Sequence, residues 1–579
     1  MHGCANHFVV MSWPSPLSQR VRKCDPALEE PTDMPVPAST MNPAVRLVQG
    51  PGKVLHEENS RTALTMTTST KQARKERQFL AAFSATLGAL CAGTFFAWST
   101  AVPGERIGFK DPQDPVLSWI ASSLPLGAFF GCMVAGMAAN RLGRQRTLLL
   151  MSVPLLAAWG FMLASDSVAC LLVGRLLAGL AVGVVSVSAG MYVSEVAEAS
   201  VRGTLGSFFQ LQIVVGILFG YVTGLLDDPA HQVYVCMVLP VVFAALFWRM
   251  PESPVFLVSR GRSQAARDAL QWLRGDDYDI SDEISTIRHS IMVGTLAHYT
   301  CGSNVSYENV SESPDRPLRY CARQTSEQSK ASFTDLFTTR AASRGMIVAL
   351  GLMGAQQLSG INAVIFYAGD IFQKSGSTMS GLMCAIVVGV VQVAATFVSM
   401  VLADAAGRRV LLLLSSGVMT VCLSTLGVYY HLSEAGHTMD GITWLPLVTV
   451  AVYIVMFSLG LGPLPWCVVS EIFSPSTKGA ASSVACGANW FMAFLVTRVF
   501  KSMISALEQS GAFFVFAAIA ALGTLFIALL VPETKGKSLE EILDELAGIK
   551  SFPVAVEATP EAIEEEEGDE ANNRRPFPL

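Results

Sequence analysis

Charged residues are scarce in this chain of 579 residues. They account for 15% of the sequence, whereas soluble proteins carry roughly 25%. Hydrophobic residues reach 51%, and the mean hydropathy is +0.45. The apolar residues are gathered into stretches close to the roughly 20 residues that cross a bilayer as a helix. The composition therefore argues against a soluble fold and predicts a membrane protein.

Other absences narrow the class of function. The twelve cysteines occur singly, with no CxxC pair and no metal-ligand cluster. No P-loop is present to bind a nucleotide, no Ser/His/Asp or paired-carboxylate arrangement is visible, and nothing supports nucleic-acid binding. The first 76 residues lack the apolar core of a signal peptide. The sequence therefore predicts neither an enzyme nor a need for a metal or cofactor, and the first apolar helix is expected to act as its own insertion signal.

Twelve apolar stretches are long enough to predict membrane-spanning helices. Six precede a polar, serine-rich stretch and six follow it. We therefore predict an all-α membrane protein with twelve transmembrane helices in two pseudo-symmetric six-helix bundles and a cytosolic helical linker. The predicted spans are 79–103, 116–139, 147–164, 168–193, 205–226, 233–248, 345–372, 380–403, 410–432, 442–469, 480–500 and 513–531. The predicted domains are a disordered cytosolic tail at 1–76, an N-terminal bundle at 77–248, the linker at 249–344, a C-terminal bundle at 345–535 and a cytosolic tail at 536–579.

Lysine and arginine residues predict the orientation of these spans, because short cytosolic loops are enriched in them. With the N-terminus inside, the cytosolic flanks hold most of these residues, whereas the opposite short loops hold chiefly Arg106, Lys110, Lys374 and Lys501. Both termini and the linker are then predicted to be cytosolic. The plasma membrane is the expected location.

The two predicted bundles repeat short motifs at matching places. A Gly–Arg pair follows spans two and eight, a glutamate seven residues before a basic residue follows spans four and ten, and a Pro–Glu pair follows spans six and twelve. Three motifs recurring in the same order indicate duplication, and such halves are typical of transporters with a site between them near the midplane. The repeats comprise Gly143–Arg144 with Gly407–Arg408, Glu195 and Arg202 with Glu471 and Lys478, and Pro251–Ser253 with Pro532–Thr534.

On its motifs the chain resembles the sugar-porter family of the major facilitator superfamily, over about residues 75–545. Within that family it is most similar to facilitative glucose transporters and to arthropod facilitated trehalose transporters. The resemblance implies alternating access for a small-molecule sugar across a lipid bilayer, and we expect the chain to work as a monomer. It rests on Pro251–Leu257, Gln356–Ala363, Gly407–Arg409, Gly462–Trp466 with Glu471, and Pro532–Gly536.

Three amide side chains of the seventh span indicate the substrate site. Polar groups in hydrocarbon are costly unless they face a cavity or a partner, so Gln356 and Gln357 should face the sugar path. In a straight helix Asn362 would point roughly 120–140° away from both glutamines, at about 100° per residue. The three converge only if the helix breaks at Ser359–Gly360. Amides suit a sugar because each offers donors and an acceptor without charge.

The resemblance implies further residues of the site. The seventh helix is expected to be discontinuous, with Phe366 and Tyr367 beside the break as an outer gate. Trp466 is expected to offer an apolar face to the sugar ring, although Trp466 and Ile213 could equally be packing residues. The other residues expected to line the site are Gln210, Gln392 and Asn489.

Charged residues at the cytosolic helix ends form a second expected site. By resemblance they make inter-helix salt bridges that lock the outward-open conformation. The alternative is that they only obey the positive-inside rule, but acidic residues do not serve that rule and so favour the lock. Asn140, Gln145 and Ala405 depart from the family pattern, which predicts a looser lock. The expected members are Arg144, Arg175, Glu195, Arg202, Glu252, Asp404, Arg408, Arg409, Glu471, Lys478 and Glu533.

The first span separates a facilitator from a proton-driven symporter. Proton-driven relatives carry a titrating carboxylate there, near the arginine that corresponds to Arg175, whereas this chain has Ser99 at the matching position. Serine cannot exchange a proton near neutral pH, and Asp370, the one acid within a predicted span, lies near its outer end. We predict uniport of a sugar, either a hexose such as glucose or the disaccharide trehalose. A proton-coupled sugar or polyol symporter and a non-transporting sugar sensor remain the alternatives.

Overall fold

Helices are the only regular elements in the part of the chain that the computed structural model describes, namely residues 73–101, 115–164, 167–300, 336, 340–362, 364, 380–437, 439, 441–474 and 477–548. Within these residues, 11 helices are long and apolar enough to cross a membrane. The prediction of an all-α membrane protein is confirmed, and the chain is a multi-pass membrane protein.

Six spans form the N-terminal bundle. The predicted third span is divided into two short helices at Met151, whose φ of −73° and ψ of −14° remain helical, so the two still cross as one span. The helices are α1 Lys75–Ala101, α2 Pro115–Leu142, α3 Arg144–Leu150, α4 Ser152–Leu163, α5 Val168–Val196, α6 Arg202–Thr223 and α7 Pro229–Phe247.

Three helices follow the N-terminal bundle and rest on it: α8 Pro254–Ser259, α9 Ser263–Arg274 and α10 Ser281–Thr300. They share a small apolar core around Leu257, Leu270 and Ile284. The buried Arg274 fixes this group to the bundle, because its Nη1 donates to the carbonyl of Val196 at 3.0 Å while its side chain also pairs with Glu283 at 2.5 Å. The linker helices are therefore attached to the end of α5.

In the C-terminal bundle span ten breaks between α14 and α15. The run Lys478–Leu530 holds two spans, Lys478–Phe500 and Ser502–Leu530, in two helices joined at Glu508, where φ is 62°. The predicted seventh span, 345–372, is described as far as Val364. The helices are α11 Arg340–Leu358, α12 Gly381–Ala406, α13 Arg408–Glu434, α14 Leu445–Leu459, α15 Leu464–Glu471, α16 Lys478–Leu530 and α17 Leu539–Ala547.

Two of the helix pairs that join the bundles in the described part of the chain are long and run along each other. Helix α2 runs antiparallel to the first part of α16: the Arg498 guanidinium lies 4.8 Å from the Trp119 ring near one end, and the Gly136 N–H donates to Ser483 Oγ at 3.0 Å near the other. Helix α6 runs along α12, where Leu218 packs on Gly389. Each bundle keeps its own apolar core. The ends of the helices that carry the repeated Gly–Arg motifs are called the charged end below.

Candidate functional site

Four amide side chains form one hydrogen-bonded chain in the C-terminal bundle. Asn362 Nδ2 donates to Gln357 Oε1 at 3.0 Å, and Gln357 Nε2 donates to Asn489 Oδ1 at 3.1 Å. Asn489 Nδ2 then donates to Gln356 Oε1 at 2.6 Å. The structure therefore brings together the three amides predicted in span seven and the one predicted in span eleven.

The convergence depends on the break that the sequence predicts at Ser359–Gly360. Gly360 has a φ of +81°, a conformation that L side chains rarely adopt, and a Cβ there would collide with the ring of Phe516. The Tyr453 hydroxyl donates to the Ser359 carbonyl at 3.0 Å, which satisfies a backbone group freed by the break. Tyr453 was not identified from the sequence, because it lies in an ordinary apolar run.

The far end of the amide chain holds the break in span ten. Gln356 Nε2 donates to the carbonyls of Leu461 at 2.9 Å and Gly462 at 2.6 Å, between α14 and α15. Carbonyls released from a helix inside a membrane need such donors. Gln356 thus uses both amide hydrogens on the backbone, and its side chain fixes the segment that leads into Trp466.

Exposure divides the four amides into two pairs. Gln356 is 2% exposed and Asn489 is fully buried, whereas Gln357 and Asn362 are half-buried. A ligand can reach only polar atoms that keep free hydrogen-bonding capacity and some exposure. Gln357 and Asn362 are therefore the members that can bind a hydroxyl-bearing ligand, and the other two hold them in position.

A small cavity lined by residues of both bundles lies between them. Of the residues predicted for the substrate site, Trp466 lines it, and the Phe209 ring lies 5.0 Å from the Trp466 ring. Ser186, Ser194 and Ser482 also line this space. The cavity thus combines an aromatic wall with small polar groups contributed by α5, α6, α15 and α16.

The remaining predicted site residues stand apart from the amide chain. Gln392 is 4% exposed on α12 and Gln210 is half-buried on α6, and in the described part of the chain neither side chain forms a hydrogen bond. Ile213 is buried in the core of the N-terminal bundle, which agrees with the packing alternative. Phe366 and Tyr367 lie outside the described residues.

At the charged end of the N-terminal bundle, Arg144 organises a cluster. Its Nη2 pairs with Glu195 at 3.0 Å, its Nη1 donates to the Ala139 carbonyl at 3.4 Å, and its backbone N–H donates to Glu252 at 2.9 Å. Glu252 thereby occupies the positive N-terminus of α3, where a carboxylate is stabilised. The Ser253 hydroxyl donates to Glu195. All of these contacts lie within one bundle.

The C-terminal bundle repeats this cluster. Arg408 Nη2 lies 3.4 Å from Glu471, its Nη1 donates to the Ala403 carbonyl at 3.1 Å, and its backbone N–H donates to Glu533 at 2.9 Å. Arg409 supplies a second backbone donor to Glu533 at 3.0 Å. The glycines that open both clusters have φ values of +100° and +94°. The repetition seen in the sequence is therefore a repetition of structure.

One carboxylate crosses between the bundles. Asp404 pairs with Arg408 at 2.9 Å and also accepts hydrogen bonds from Thr204 on α6, at 2.6 Å from Oγ1 and 3.2 Å from the backbone N. Thr204 was not predicted, although it lies two residues after Arg202. Arg202 and Lys478 are not within 4.0 Å of any described carboxylate oxygen, but each interacts electrostatically with a glutamate of the opposite bundle, Arg202 with Glu471 and Lys478 with Glu195.

The ion pairs of the expected lock join helices of the same bundle, because each arginine lies beside its own bundle's glutamates. One expected member needs a correction. Arg175 does not belong to the cluster at all: it lies in α5 twenty residues before Glu195, which is about 30 Å along a helix at 1.5 Å per residue. Its Nη2 donates to Ser99 Oγ at 2.5 Å.

The chain is similar to known proteins in sequence and in fold. A family model described as Sugar (and other) transporter matches residues 58–546. Facilitated trehalose transporter Tret1 of Anopheles gambiae is 36% identical over 475 residues, which cover 81% of this chain and 56% of that protein. Tret1 of Polypedilum vanderplanki is 35% identical over 475 residues, covering 81% of this chain and 88% of that protein. The chain thus spans little more than half the length of some relatives and most of the length of others.

Solved structures of similar shape are transporters. The proton:xylose symporter XylE bound to 6-bromo-6-deoxy-D-glucose has a TM-score of 0.64 at 23% identity, covering 80% of this chain and 98% of that one. The human organic anion transporter MFSD10 has a TM-score of 0.51 at 16% identity, covering 79% and 100%. At these identities the likeness shows the fold alone, which is the predicted arrangement of twelve transmembrane helices in two bundles.

Proposed function

Since the chain belongs to the family of sugar (and other) transporters, we propose that it moves a sugar across the membrane by facilitated diffusion. The observation that carries the proposal is the amide chain, which presents Gln357 and Asn362 as half-buried, uncharged donors and acceptors. Such groups match sugar hydroxyls. The names of the curated relatives favour trehalose, and a hexose such as glucose is the second candidate.

The surroundings of Arg175 support uniport. A proton-coupled cycle needs a group that titrates near neutral pH, and in the described part of the chain Arg175 hydrogen-bonds to backbone carbonyls and Ser99 without an ion pair. Proton-coupled symport and sugar sensing without transport are the rival functions.

The two bundles would alternate access by rocking around the sugar. In this account the charged end faces the cytosol, as do both termini, and the contact between Asp404 and Thr204 closes that side. The charged clusters of each bundle keep the helix ends rigid during the motion. We place the transporter in the plasma membrane as a monomer.

Counterflow uptake of labelled trehalose, glucose and fructose into proteoliposomes holding the full chain tests this function. We expect uptake of trehalose or a hexose that is unchanged by a pH gradient or an uncoupler. Stimulation by an inward proton gradient would instead establish symport. Saturable sugar binding without any uptake would establish a sensor.

Three variants test the site. Gln357→Ala and Asn362→Ala should each raise the half-saturation concentration roughly three- to tenfold, the equivalent of one net hydrogen bond. Gln356→Ala should mainly lower the maximal rate, because it orphans the carbonyls of Leu461 and Gly462. Gln264→Ala, which removes an exposed amide from α9, is the matched control and should change neither. Unaltered half-saturation in Gln357→Ala and Asn362→Ala would remove both from the site.

A further inference from the structure

Arg175 is buried in the N-terminal bundle with 1% of its surface exposed, and its contacts join three helices. Nη1 donates to the Phe95 carbonyl of α1 at 2.5 Å, and Nη2 donates to Ser99 of the same helix. Nε donates to the Ile120 carbonyl of α2 at 3.2 Å. The guanidinium thus bonds mainly to backbone carbonyls, and one further carbonyl beside it, in α2, lacks its helical donor.

The missing donor is at Pro125, inside α2. Proline has no N–H, so the Ala121 carbonyl four residues earlier receives no helical hydrogen bond, and the ring pushes that carbonyl aside. Arg175 Nη2 lies 3.5 Å from the Ala121 oxygen, beside the shorter bond to Ile120. A membrane helix tolerates proline where a neighbouring helix satisfies the freed group.

Helices α2 and α5 approach each other closely enough for this contact because glycines line their interface. A Cβ added at Gly127 or Gly131 of α2 would collide with the backbone of α5, and a Cβ added at Gly179 or Gly183 of α5 would collide with the backbone of α2. Small residues at such spacing allow close helix packing in membranes. The guanidinium is therefore held against the α2 backbone.

We propose that Arg175 is a positioning residue that supplies the hydrogen bond removed by Pro125. In this role it keeps α1, α2 and α5 together as one moving body. It acts at the end of the bundle opposite the charged end. Arginine suits the role because its planar fork carries five N–H donors that can reach several carbonyls at once. Since Arg175 contacts none of the amides of the site, its loss should lower the maximal transport rate without changing sugar affinity.

A double-mutant cycle tests the proposal in the full chain, with Arg175→Gln, Pro125→Ala and the combination. Arg175→Gln should lower the maximal transport rate at least tenfold and the melting temperature by several degrees, with half-saturation within twofold of the original. Adding Pro125→Ala should recover the rate at least threefold, because it restores an N–H to position 125. Pro240→Ala, which removes the proline buried inside α7, is the matched control and should recover nothing.

Independent, additive effects of Arg175→Gln and Pro125→Ala on both readouts would overturn the proposal, as would equal recovery by Pro240→Ala. Arg175→Lys keeps the charge but loses the fork, so it provides the same cycle if Arg175→Gln does not accumulate in membranes. The transport readout rests on the proposed function, whereas the melting temperature does not. Coupling in melting temperature without any transport by the original chain would therefore reject the function and leave this inference standing.

Discussion

The two charged clusters share one plan, yet among the described residues only the C-terminal cluster forms a hydrogen bond to the opposite bundle. In the N-terminal bundle Arg144 is paired with Glu195, which also receives the Ser253 hydroxyl and interacts with Lys478 of the other bundle only electrostatically. In the C-terminal bundle Arg408 divides its charge between Glu471 and Asp404. Asp404 then bonds to the start of α6.

This difference shows how two related halves can make different contacts between the bundles. The glycine, the arginine and the glutamate that caps the following helix are common to both halves, because they build each helix turn. One of the positions that differ bears on the contact between the bundles: Asn140 stands where the other half has Asp404. Asn140 lies beside Gly479 at the start of α16 but offers no charge to that helix. A carboxylate therefore accepts hydrogen bonds from the opposite bundle on one side, and an uncharged amide stands at the matching place on the other.

The largest expected effect is that of Arg408→Gln. It removes the cation that pairs with Asp404 and with Glu471, and breaking a buried pair such as Arg408–Glu471 costs about 3 kcal/mol or more. We expect the transport rate to fall at least tenfold and the melting temperature to drop further than in Arg144→Gln, which strands one glutamate that Ser253 still bonds. An equal or larger loss in Arg144→Gln would show that the two clusters are equivalent.

Asp404→Asn should open the charged end. Its charge-assisted bonds to Thr204 are worth about 1–2 kcal/mol, roughly a tenfold shift between conformations. Cys486 lines the cavity between the bundles, so its rate of alkylation by a small permeant thiol reagent should rise about tenfold. Cys422, buried in the C-terminal core, is the internal control. Unchanged labelling of Cys486 would show that Asp404 does not hold the bundles together.

Asn140→Asp should have the opposite and smaller effect. A carboxylate beside the N-terminus of α16 is stabilised by about 0.3–1 kcal/mol, which corresponds to a roughly two- to fivefold decrease in Cys486 alkylation. The double variant with Asp404→Asn should return toward the original rate. Faster labelling in Asn140→Asp would contradict the idea that the two sides differ by this charge.

Ser253→Ala and Thr534→Val should have the smallest effects. Ser253 bonds Glu195 and caps α8, so its loss should lower stability by about 1–2 kcal/mol. The equivalent Thr534 hydroxyl has no partner among the described residues, and its isosteric replacement should be neutral within about 0.5 kcal/mol. Thermal unfolding in detergent measures both. A larger loss in Thr534→Val would reverse the comparison.

Several features of the site were predictable because they depend on local chemistry. Glutamines within an apolar run have to find polar partners, and the glycine of Ser359–Gly360 permits the turn that brings Asn362 to Gln357. The side of the membrane on which Arg175 lies is also predictable from the sequence. Arg175 lies near the start of span four, which alternation of the spans puts on the side opposite the charged end.

Other features depend on how whole helices are rotated and packed. Asp404 and Glu471 both carry a carboxylate close to a span end, and their sequence neighbours do not reveal that only Asp404, among the described residues, accepts a hydrogen bond from the other bundle. The division of the amides into two exposed and two buried members likewise follows from the packing of α11 against α16.

By itself the sequence determined that the chain lies in a membrane, that its spans form two related halves, and that uncharged amides lie within the apolar spans. It could do so because hydropathy, sequence repetition and the cost of polar groups in hydrocarbon act through the local chain. Tertiary structure alone decided which charges meet across the bundles and which helix supplies a donor to Pro125. Those outcomes depend on distances of a few ångströms between residues far apart in the chain, and the short range of hydrogen bonds makes such distances decisive.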